Sequence, residues 1–236
     1  MTNPPEHPDA WYLAALSTEL RPGAVLAREV GGRDVALFRG ASGGVAALSS
    51  TCTHLGARLA AGDVVEETLR CPLHHRRYDR SGACVGPEAG GSQPTHPVVE
   101  TRGALFVAPG TAAPFPLRLP EGAFRIAAGP AVTLRCPWWA VVANGFDVAH
   151  FVTVHGRELV EPVEVDAPEP GTLRLRYVAR VVGRSTSDRL VRRLSSDRVR
   201  VSIRCVGGPL LVVESEAGRE RALLLLGLLP RGGGTE

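Results

Sequence analysis

Two cysteines and two histidines form a pair of short motifs in the first third of the chain. The motifs are Cys52-x-His54 and, after a gap of sixteen residues, Cys71-x2-His74. Two thiolates and two imidazoles are the donors of a two-iron, two-sulfur cluster in which one iron binds both cysteines and the other both histidines. Zinc accepts the same donors, but zinc knuckles usually show a Cys-x2-Cys spacing that is absent here. The alternative is four unrelated core or surface side chains. At the Cys and His frequencies of this chain, they would match the pattern by chance in roughly a few chains in ten thousand.

A second set of polar residues, Asn144, Asp147, His150 and His155, follows in the C-terminal half. On a helix, Asp147 and His150 share a face, whereas His155 lies about 140° further round. Both imidazoles reach one metal only if the helix distorts or ends between them, which the β-branched residues 152–154 favour. Two His and a carboxylate are the donors of mononuclear non-haem Fe(II) oxygenases. Taken alone the pattern is weak, and the alternative is a helix with two surface or core histidines.

The elements that position these residues are expected to be mostly strands. The chain has 236 residues, with 27 Gly and 19 Pro but only 5% aromatic residues, which predicts many turns and short elements. We predict an α+β fold that is mostly antiparallel β. The predicted strands cover residues 24–30, 34–39, 45–48, 68–71, 76–78, 98–101, 104–107, 131–135, 173–181, 198–205, 210–213 and 222–226.

The remaining segments define the domain organisation. Residues 109–122 carry four prolines and are the predicted linker between domains at residues 10–108 and 123–236. Pro137 suits the first turn of a helix that runs to about Phe151, and a short helix is predicted near residues 187–194. Residues 222–229 are apolar on both faces, so they predict a central strand or, at an edge, pairing with another chain or aggregation.

The first predicted domain resembles the Rieske family. Residues 71–84, which read CPLHHRRYDRSGAC, are similar to the C-P-x-H-G-W-x-Y-D-x-x-G-x-C signature of Rieske oxygenases. The family has Gly and Trp at the positions of His75 and Arg76. His75 is a competing ligand by residue type, but the spacing favours its neighbour. The resemblance implies a β-sandwich domain and a [2Fe-2S] cluster whose ligands are Cys52, His54, Cys71 and His74.

The second set resembles the N-x2-D-x2-H-x4-H motif in the helix-grip catalytic domain of Rieske oxygenase α subunits. The resemblance implies that His150 and His155 bind a mononuclear Fe(II), and that Asp147 and Asn144 are catalytic. Asp147 would bridge His150 and the cluster ligand His74 of a neighbouring chain. That route implies a homo-oligomer, typically a trimer, or a partner subunit.

The third iron ligand that the family implies is an Asp or Glu on a later helix. Only 81 residues follow His155, about half of such a catalytic domain, and they read mostly as strands. None of the later acidic residues is favoured as this ligand. Those weighed are Asp188, Asp197, Glu214, Glu216 and Glu220.

Three functional hypotheses follow, of which the first is preferred. The chain is a shortened Rieske oxygenase terminal component that takes electrons from an NAD(P)H-dependent reductase or a ferredoxin. It would use O2 to hydroxylate or dihydroxylate a small aromatic or alicyclic substrate. The alternatives are an electron carrier that uses only the cluster, and one half of a split oxygenase.

Composition and cysteine usage exclude other classes. The 27 basic residues are all Arg and are scattered among 24 acids, so no nucleic-acid partner is expected. The N-terminus has no signal-peptide pattern and no apolar run is long enough to span a membrane, which predicts a cytoplasmic protein. Five cysteines favour thiolate chemistry or buried thiols over disulfides. Cys84, Cys136 and Cys205 are interpreted as small buried hydrophobes.

Overall fold

The computed structural model describes residues 3–86, 90–122, 129–183, 186, 189, 192–193, 198–231 and 234–235. All strand pairs in this part of the chain are antiparallel, as predicted. None of the helices found there is long and apolar enough to cross a membrane.

The N-terminal half consists of three small sheets, with strand orders β1-β11-β10, β2-β3-β4-β9 and β5-β6-β7-β8. Two 3-10 turns, Ser17–Glu19 and Leu59–Ala61, lie among the strands. The strands are β1 Tyr12–Leu16, β2 Val25–Val30, β3 Arg33–Arg39, β4 Val45–Ser49, β5 Asp63–Val65, β6 Thr68–Arg70, β7 Arg77–Tyr78, β8 Cys84–Val85, β9 Thr95–His96, β10 Val98–Thr101 and β11 Ala104–Val107.

Two apolar cores hold these sheets together. One contains the inward side chains of β1, β3 and β11, including Tyr12, Leu37 and Leu105, all fully buried. The other lies beneath the two Cys/His motifs and includes Phe38 and Leu69. Each fully buried side chain of this kind stabilises the fold by about 1.5–3 kcal/mol.

The C-terminal half is one six-stranded sheet with two short helices on one face. The strand order is β12-β14-β15-β16-β17, and β13 also pairs with β14. The elements are α1 Trp138–Phe146, α2 Val148–Thr153, β12 Arg157–Leu159, β13 Glu164–Glu169, β14 Thr172–Val181, β15 Arg198–Val206, β16 Leu210–Ala217 and β17 Glu220–Gly227. A separate two-stranded ribbon is formed by β18 Pro230–Arg231 and β19 Gly234–Thr235.

The predicted alternation of apolar and Arg residues separates the two faces of this sheet. Leu175, Tyr177 and other inward side chains form a core with the helix residue Phe151. On the opposite face Arg174 pairs with Asp166 at 2.6 Å. The period of two thus gives one dry and one charged face.

Two sequence predictions about the start of this half are wrong. Residues 131–135 do not form a strand, and only Leu134 makes a single bridge, to Thr235. The helix expected from Pro137 to Phe151 is broken at Asp147, whose backbone is extended (φ −80°, ψ 100°). Asp147 instead caps a new helix, because its short carboxylate accepts the first N–H groups of that helix. The helix predicted at residues 187–194 falls largely outside the described residues.

The two halves share a fourth apolar cluster. Trp11 and Phe106 of the N-terminal half contact Leu210 of the C-terminal sheet. The predicted linker at residues 109–122 lies against the same cluster, where the Phe115 carbonyl accepts a 2.7 Å hydrogen bond from Trp11 Nε1. This segment is therefore packed rather than extended, and the division into domains at 10–108 and 123–236 stays a prediction.

The apolar strand β17 lies at the edge of the sheet, next to β16. Its Leu224 and Leu226 side chains are 53% and 38% exposed. A cavity of about 1250 Å³ runs between this strand and β1. The central position that its two apolar faces predicted is therefore wrong, and pairing with another chain or aggregation at this edge stays a prediction.

Candidate metal centres

The two loops that carry the Cys and His motifs are closed by the same backbone hydrogen bonds. The Cys52 N–H donates to the Ala57 carbonyl at 2.8 Å, and the Cys52 carbonyl accepts from the Gly56 N–H at 2.9 Å. Cys71 makes the equivalent two bonds, of 2.8 and 3.1 Å, with the residues five and four positions further on. The two motifs are therefore built on one backbone pattern, which presents each cysteine and its histidine from a tight turn.

The fourth residue after each cysteine has a left-handed backbone. Gly56 has φ +74° and His75 has φ +57°. Glycine adopts this conformation without steric cost, whereas a residue with a Cβ is strained there by about 1 kcal/mol or more. His75 stands where the Rieske signature has Gly, so this departure from the signature costs stability without changing the turn. The side chain of His75 projects from the loop at the position directly after His74.

The four predicted cluster donors are separated into a buried and an exposed pair. Cys52 and Cys71 are each 2% exposed. His54 and His74 are exposed, and their ring centroids lie 4.8 Å apart in an edge-to-face arrangement. Two thiols inside and two imidazoles outside fit a cluster with one iron on each pair of donors.

Tyr78 is a neighbour of the buried pair. Its hydroxyl lies 3.3 Å from Cys52 Sγ. Burial alone would raise the pKa of the Cys52 thiol, but hydrogen bonds from Tyr78, from the His54 and Leu55 N–H groups and from the Cys71 thiol together lower it. Burial and the contact with Cys52 raise the pKa of Tyr78 to about 12. The raised pKa keeps Tyr78 protonated, so that it can donate a hydrogen bond. The lowered pKa of Cys52 favours the thiolate form that metals bind.

Asp147 begins the second candidate site by capping α2. Its Oδ1 accepts hydrogen bonds from the Ala149 N–H at 2.9 Å and the His150 N–H at 3.2 Å. The contact with His150 thus involves the backbone rather than the imidazole. Asn144 lies in the last turn of α1, where its carbonyl accepts from the Asp147 N–H at 3.3 Å.

The imidazoles of His150 and His155 point at one another. Helix α2 ends at Thr153, so the chain turns as the β-branched run predicts, and the two Nε2 atoms lie 3.1 Å apart. Two nitrogens bound at right angles to one metal at about 2.1 Å would be separated by about 3 Å. Phe151, between them in sequence, stacks on Tyr177 at 5.1 Å and anchors the turn to the sheet. The pair therefore fits two ligands of one metal ion.

A third donor does not join this pair within the part of the chain that the structure describes. No group of three or more His, Cys, Asp or Glu side chains is gathered closely enough there to hold one metal ion. Glu214 and Glu216 are engaged by Arg side chains on the charged face of the sheet, Glu220 is exposed on β17, and Asp188 and Asp197 lie outside the described residues.

None of the five cysteines forms a disulfide. Cys84 is buried in the core beneath the cluster loops, as expected for a small apolar side chain. Cys136 and Cys205 are only half-buried. Sequence reasoning assigned no role to Tyr78 or Gln93, which both touch the first site. The contacts of Gln93 lie about forty residues away in sequence, so no local pattern could reveal them.

Comparison with known proteins agrees with this geometry. Residues 10–97 match the family described as the Rieske [2Fe-2S] domain. The oxygenase component of dicamba O-demethylase from Stenotrophomonas maltophilia is 33% identical over 160 residues, which cover 62% of this chain and 47% of that protein. Cholesterol 7-desaturase from Bombyx mori is 34% identical over 111 residues, covering 44% and 24% of the two chains.

The fold is also found among solved structures. Apo dicamba monooxygenase superposes with a TM-score of 0.74 at 25% identity, over 96% of this chain and 74% of that chain. The chain spans about a quarter to a half of the length of these two curated relatives. The Cys/His loops, the antiparallel sheets and these similarities lead to one conclusion: residues 10–97 match a Rieske [2Fe-2S] domain, and the chain is similar to oxygenase components such as that of dicamba O-demethylase.

Proposed function

We propose that the chain provides the terminal oxygenase function of a Rieske-type system. The observation that carries this proposal is the pair of equivalent loops, which bring Cys52, Cys71, His54 and His74 together within the matched Rieske region. The His150 and His155 pair supports a second, mononuclear iron site. When bound, the cluster would supply single electrons and the mononuclear iron would supply oxygen activation.

The residues of the first site would bind the cluster and control its exposure. Cys52 and Cys71 would hold the buried iron inside the apolar core, where water is excluded. His54 and His74 would hold the outer iron, and their exposed rings offer the shortest route to an electron donor or to another protomer. Tyr78 would donate its hydroxyl proton in a hydrogen bond to the Cys52 sulfur, which stabilises added negative charge.

The residues of the second site would position the two imidazoles. Asp147 orients the first turn of α2 and, as its N-cap, fixes the backbone from which His150 projects. Phe151 and Tyr177 form the apolar support behind the pair. An acid from another segment or chain would supply the carboxylate that completes a facial set of two His and one carboxylate. Asn144 would act through the helix break that places Asp147.

The names of the relatives support a reaction class for this chain. Their names include an O-demethylase, a desaturase and a 3-ketosteroid monooxygenase, all oxidations of organic molecules. We infer that this chain takes part in the oxidation of a small hydrophobic substrate with O2. Electrons would come from an NAD(P)H-dependent reductase or a ferredoxin, and a homo-oligomer or a partner subunit would unite the two sites. Five reduced thiols suit a reducing cytoplasm.

Metal and sulfide analysis tests this function. The purified chain, made with iron and cysteine supplied during expression, should contain about two sulfides and about three irons per chain. Dithionite should produce the EPR signal of a reduced [2Fe-2S] cluster with mixed Cys/His ligands. Two irons with that signal would favour the electron-carrier alternative. A preparation that binds zinc instead, without sulfide, would overturn the proposal.

Turnover then tests the oxygenase step. A ferredoxin and reductase supplied with NADH should drive O2 consumption that depends on an aromatic or sterol-like substrate. Consumption that requires an added second polypeptide would favour the split enzyme. Cluster reduction without any O2 consumption would favour the carrier.

A further inference from the structure

Gln93 is a buried polar side chain that contacts the first cluster loop. It is 2% exposed, and its amide forms three hydrogen bonds to backbone groups. Oε1 accepts from the Thr53 N–H at 3.0 Å, and Nε2 donates to the Ser49 and Thr51 carbonyls at 2.7 Å each. These partners lie on either side of Cys52. One side-chain amide therefore hydrogen-bonds to the backbone on both sides of Cys52.

The position of Gln93 is itself set by a neighbouring turn. Its N–H donates to the Gly82 carbonyl at 2.7 Å. Gly82 has φ +80°, and a Cβ there would lie 2.1 Å from the Gln93 carbonyl oxygen. The adjacent Ser92 carbonyl accepts from Thr53 Oγ1 at 3.1 Å. Residues 92–93 thus lie against the loop and are held there by hydrogen bonds.

The second cluster loop has no need for such a contact. Pro72 occupies the place that corresponds to Thr53 and has no N–H to satisfy. Strands β6 and β7, which pair directly on either side of Cys71 and His74, close that loop as a hairpin. The first loop leaves β4 and is closed only by an isolated bridge between Thr51 and Arg58 and by the Leu59 N–H, which donates to the Ser50 carbonyl at 2.7 Å. Its ends do not continue as a hairpin of paired strands, and Gln93 adds side-chain hydrogen bonds to this shorter closure.

The geometry points to Gln93 as the positioning residue that holds Cys52 and His54 in the arrangement that the cluster requires. Loss of the amide would release the first loop without disturbing the second, so the cluster would be lost faster and its electronic environment would change. This inference rests on the proposed function, because it concerns how the chain holds the [2Fe-2S] cluster.

The test compares Gln93→Leu, which removes the amide at similar volume, with wild type as purified holoprotein. Cluster loss in excess chelator, followed by visible absorbance, should be roughly tenfold faster, since three backbone groups lose their partner. The EPR g-values and the reduction potential should also shift. Gln93→Glu keeps an acceptor for the Thr53 N–H but turns a carboxylate oxygen toward the Ser49 and Thr51 carbonyls, which repel it. Its cluster loss should therefore be at least as fast as that of Gln93→Leu, and it is the second variant if the Leu variant does not fold.

Leu105→Ala is the matched control, because it destabilises the buried core of β11 away from the loop. It should lower the melting temperature while leaving the EPR g-values and the potential at wild-type values. The inference is overturned if the Gln93 variants keep wild-type g-values and potential, or if their cluster loss is no faster than that of Leu105→Ala at equal stability. A wild-type chain that binds no cluster would instead refute the proposed function.

Discussion

The two candidate metal sites differ in how much of the surrounding fold holds them. At the first, four backbone hydrogen bonds and a buried core fix two thiols before any metal is bound. At the second, the half-buried imidazole of His150 projects from a six-residue helix, and the exposed imidazole of His155 lies just beyond its end. The contrast teaches that a motif on paired loops is preorganised by its own backbone, whereas a motif on a short helix depends on what packs against it.

The largest difference in effect between the two sites is expected from Cys71→Ser. Removal of one thiolate should abolish the cluster, so that iron per chain falls by two and the reduced EPR signal disappears, while the His150 site is unaffected. Cys84→Ser is the control, since Cys84 lies in the same buried core without belonging to the donor set. Retention of sulfide in Cys71→Ser would contradict the ligand assignment.

His150→Ala tests the weaker site. Iron per chain should fall by about one, because a single remaining imidazole does not hold the ion. The cluster absorbance should stay unchanged, since the two sites use separate elements. His7→Ala provides a histidine control outside both sites. An unchanged iron count would remove the mononuclear site from the proposal.

Tyr78→Phe sharpens the first site without emptying it. Loss of the hydrogen bond to Cys52 Sγ should lower the reduction potential by about 60 mV, the one-electron equivalent of a tenfold change. Potentiometric EPR titration measures this shift. Tyr12→Phe loses a hydroxyl that bonds the Pro8 carbonyl instead and should leave the potential in place. Equal potentials in all three proteins would mean that Tyr78 does not act on the cluster.

His75→Gly should stabilise the second loop. A glycine accepts φ +57° without strain, so the free energy of unfolding should rise by about 1 kcal/mol. Urea unfolding of the metal-free chain measures it. The opposite substitution is Gly56→Ala at the equivalent position of the first loop. It should lower the free energy of unfolding by a similar amount, because Gly56 has φ +74° and alanine is strained there. A loss of stability in His75→Gly would show that the imidazole makes a compensating contact.

The smallest effect is a pH dependence from His96, whose ring contacts Ser49 Oγ and the Gly110 carbonyl at 3.1 Å each. Burial, with the positive charge of Arg33, lowers the pKa of His96 despite its backbone hydrogen bonds. The unfolded chain therefore binds the proton more readily. The contribution of His96 to the free energy of unfolding is complete above the pKa of about 6.5 that histidine has in the unfolded chain. It is lost as the pH falls toward the lower pKa of the folded chain.

Urea unfolding between pH 8 and pH 5 should show this slope in wild type. The slope should be reduced in His96→Gln, which cannot titrate. An identical slope in both proteins would assign the pH dependence to other groups.

Much of the fold was predictable because the residues within each strand already show the alternation of apolar and polar side chains that is typical of a strand. Strands β10 and β11 match their predicted residues, and the alternation in β14 and β15 correctly separated apolar from charged faces. The helix break was missed because Asp147 is as compatible with a helix face as with a cap until the neighbouring turns are known. Likewise, residues 131–135 have strand-like composition but no neighbouring strand to pair with along their length.

The four cluster donors were accessible to the sequence by itself, because ligand chemistry constrains residue type and spacing within each loop. The approach of the two loops, the burial of the thiols and the hydrogen bonds of Tyr78 and Gln93 were decided only by the tertiary structure. Those contacts join residues 26 to 44 positions apart, and such contacts leave no periodic signal in the chain.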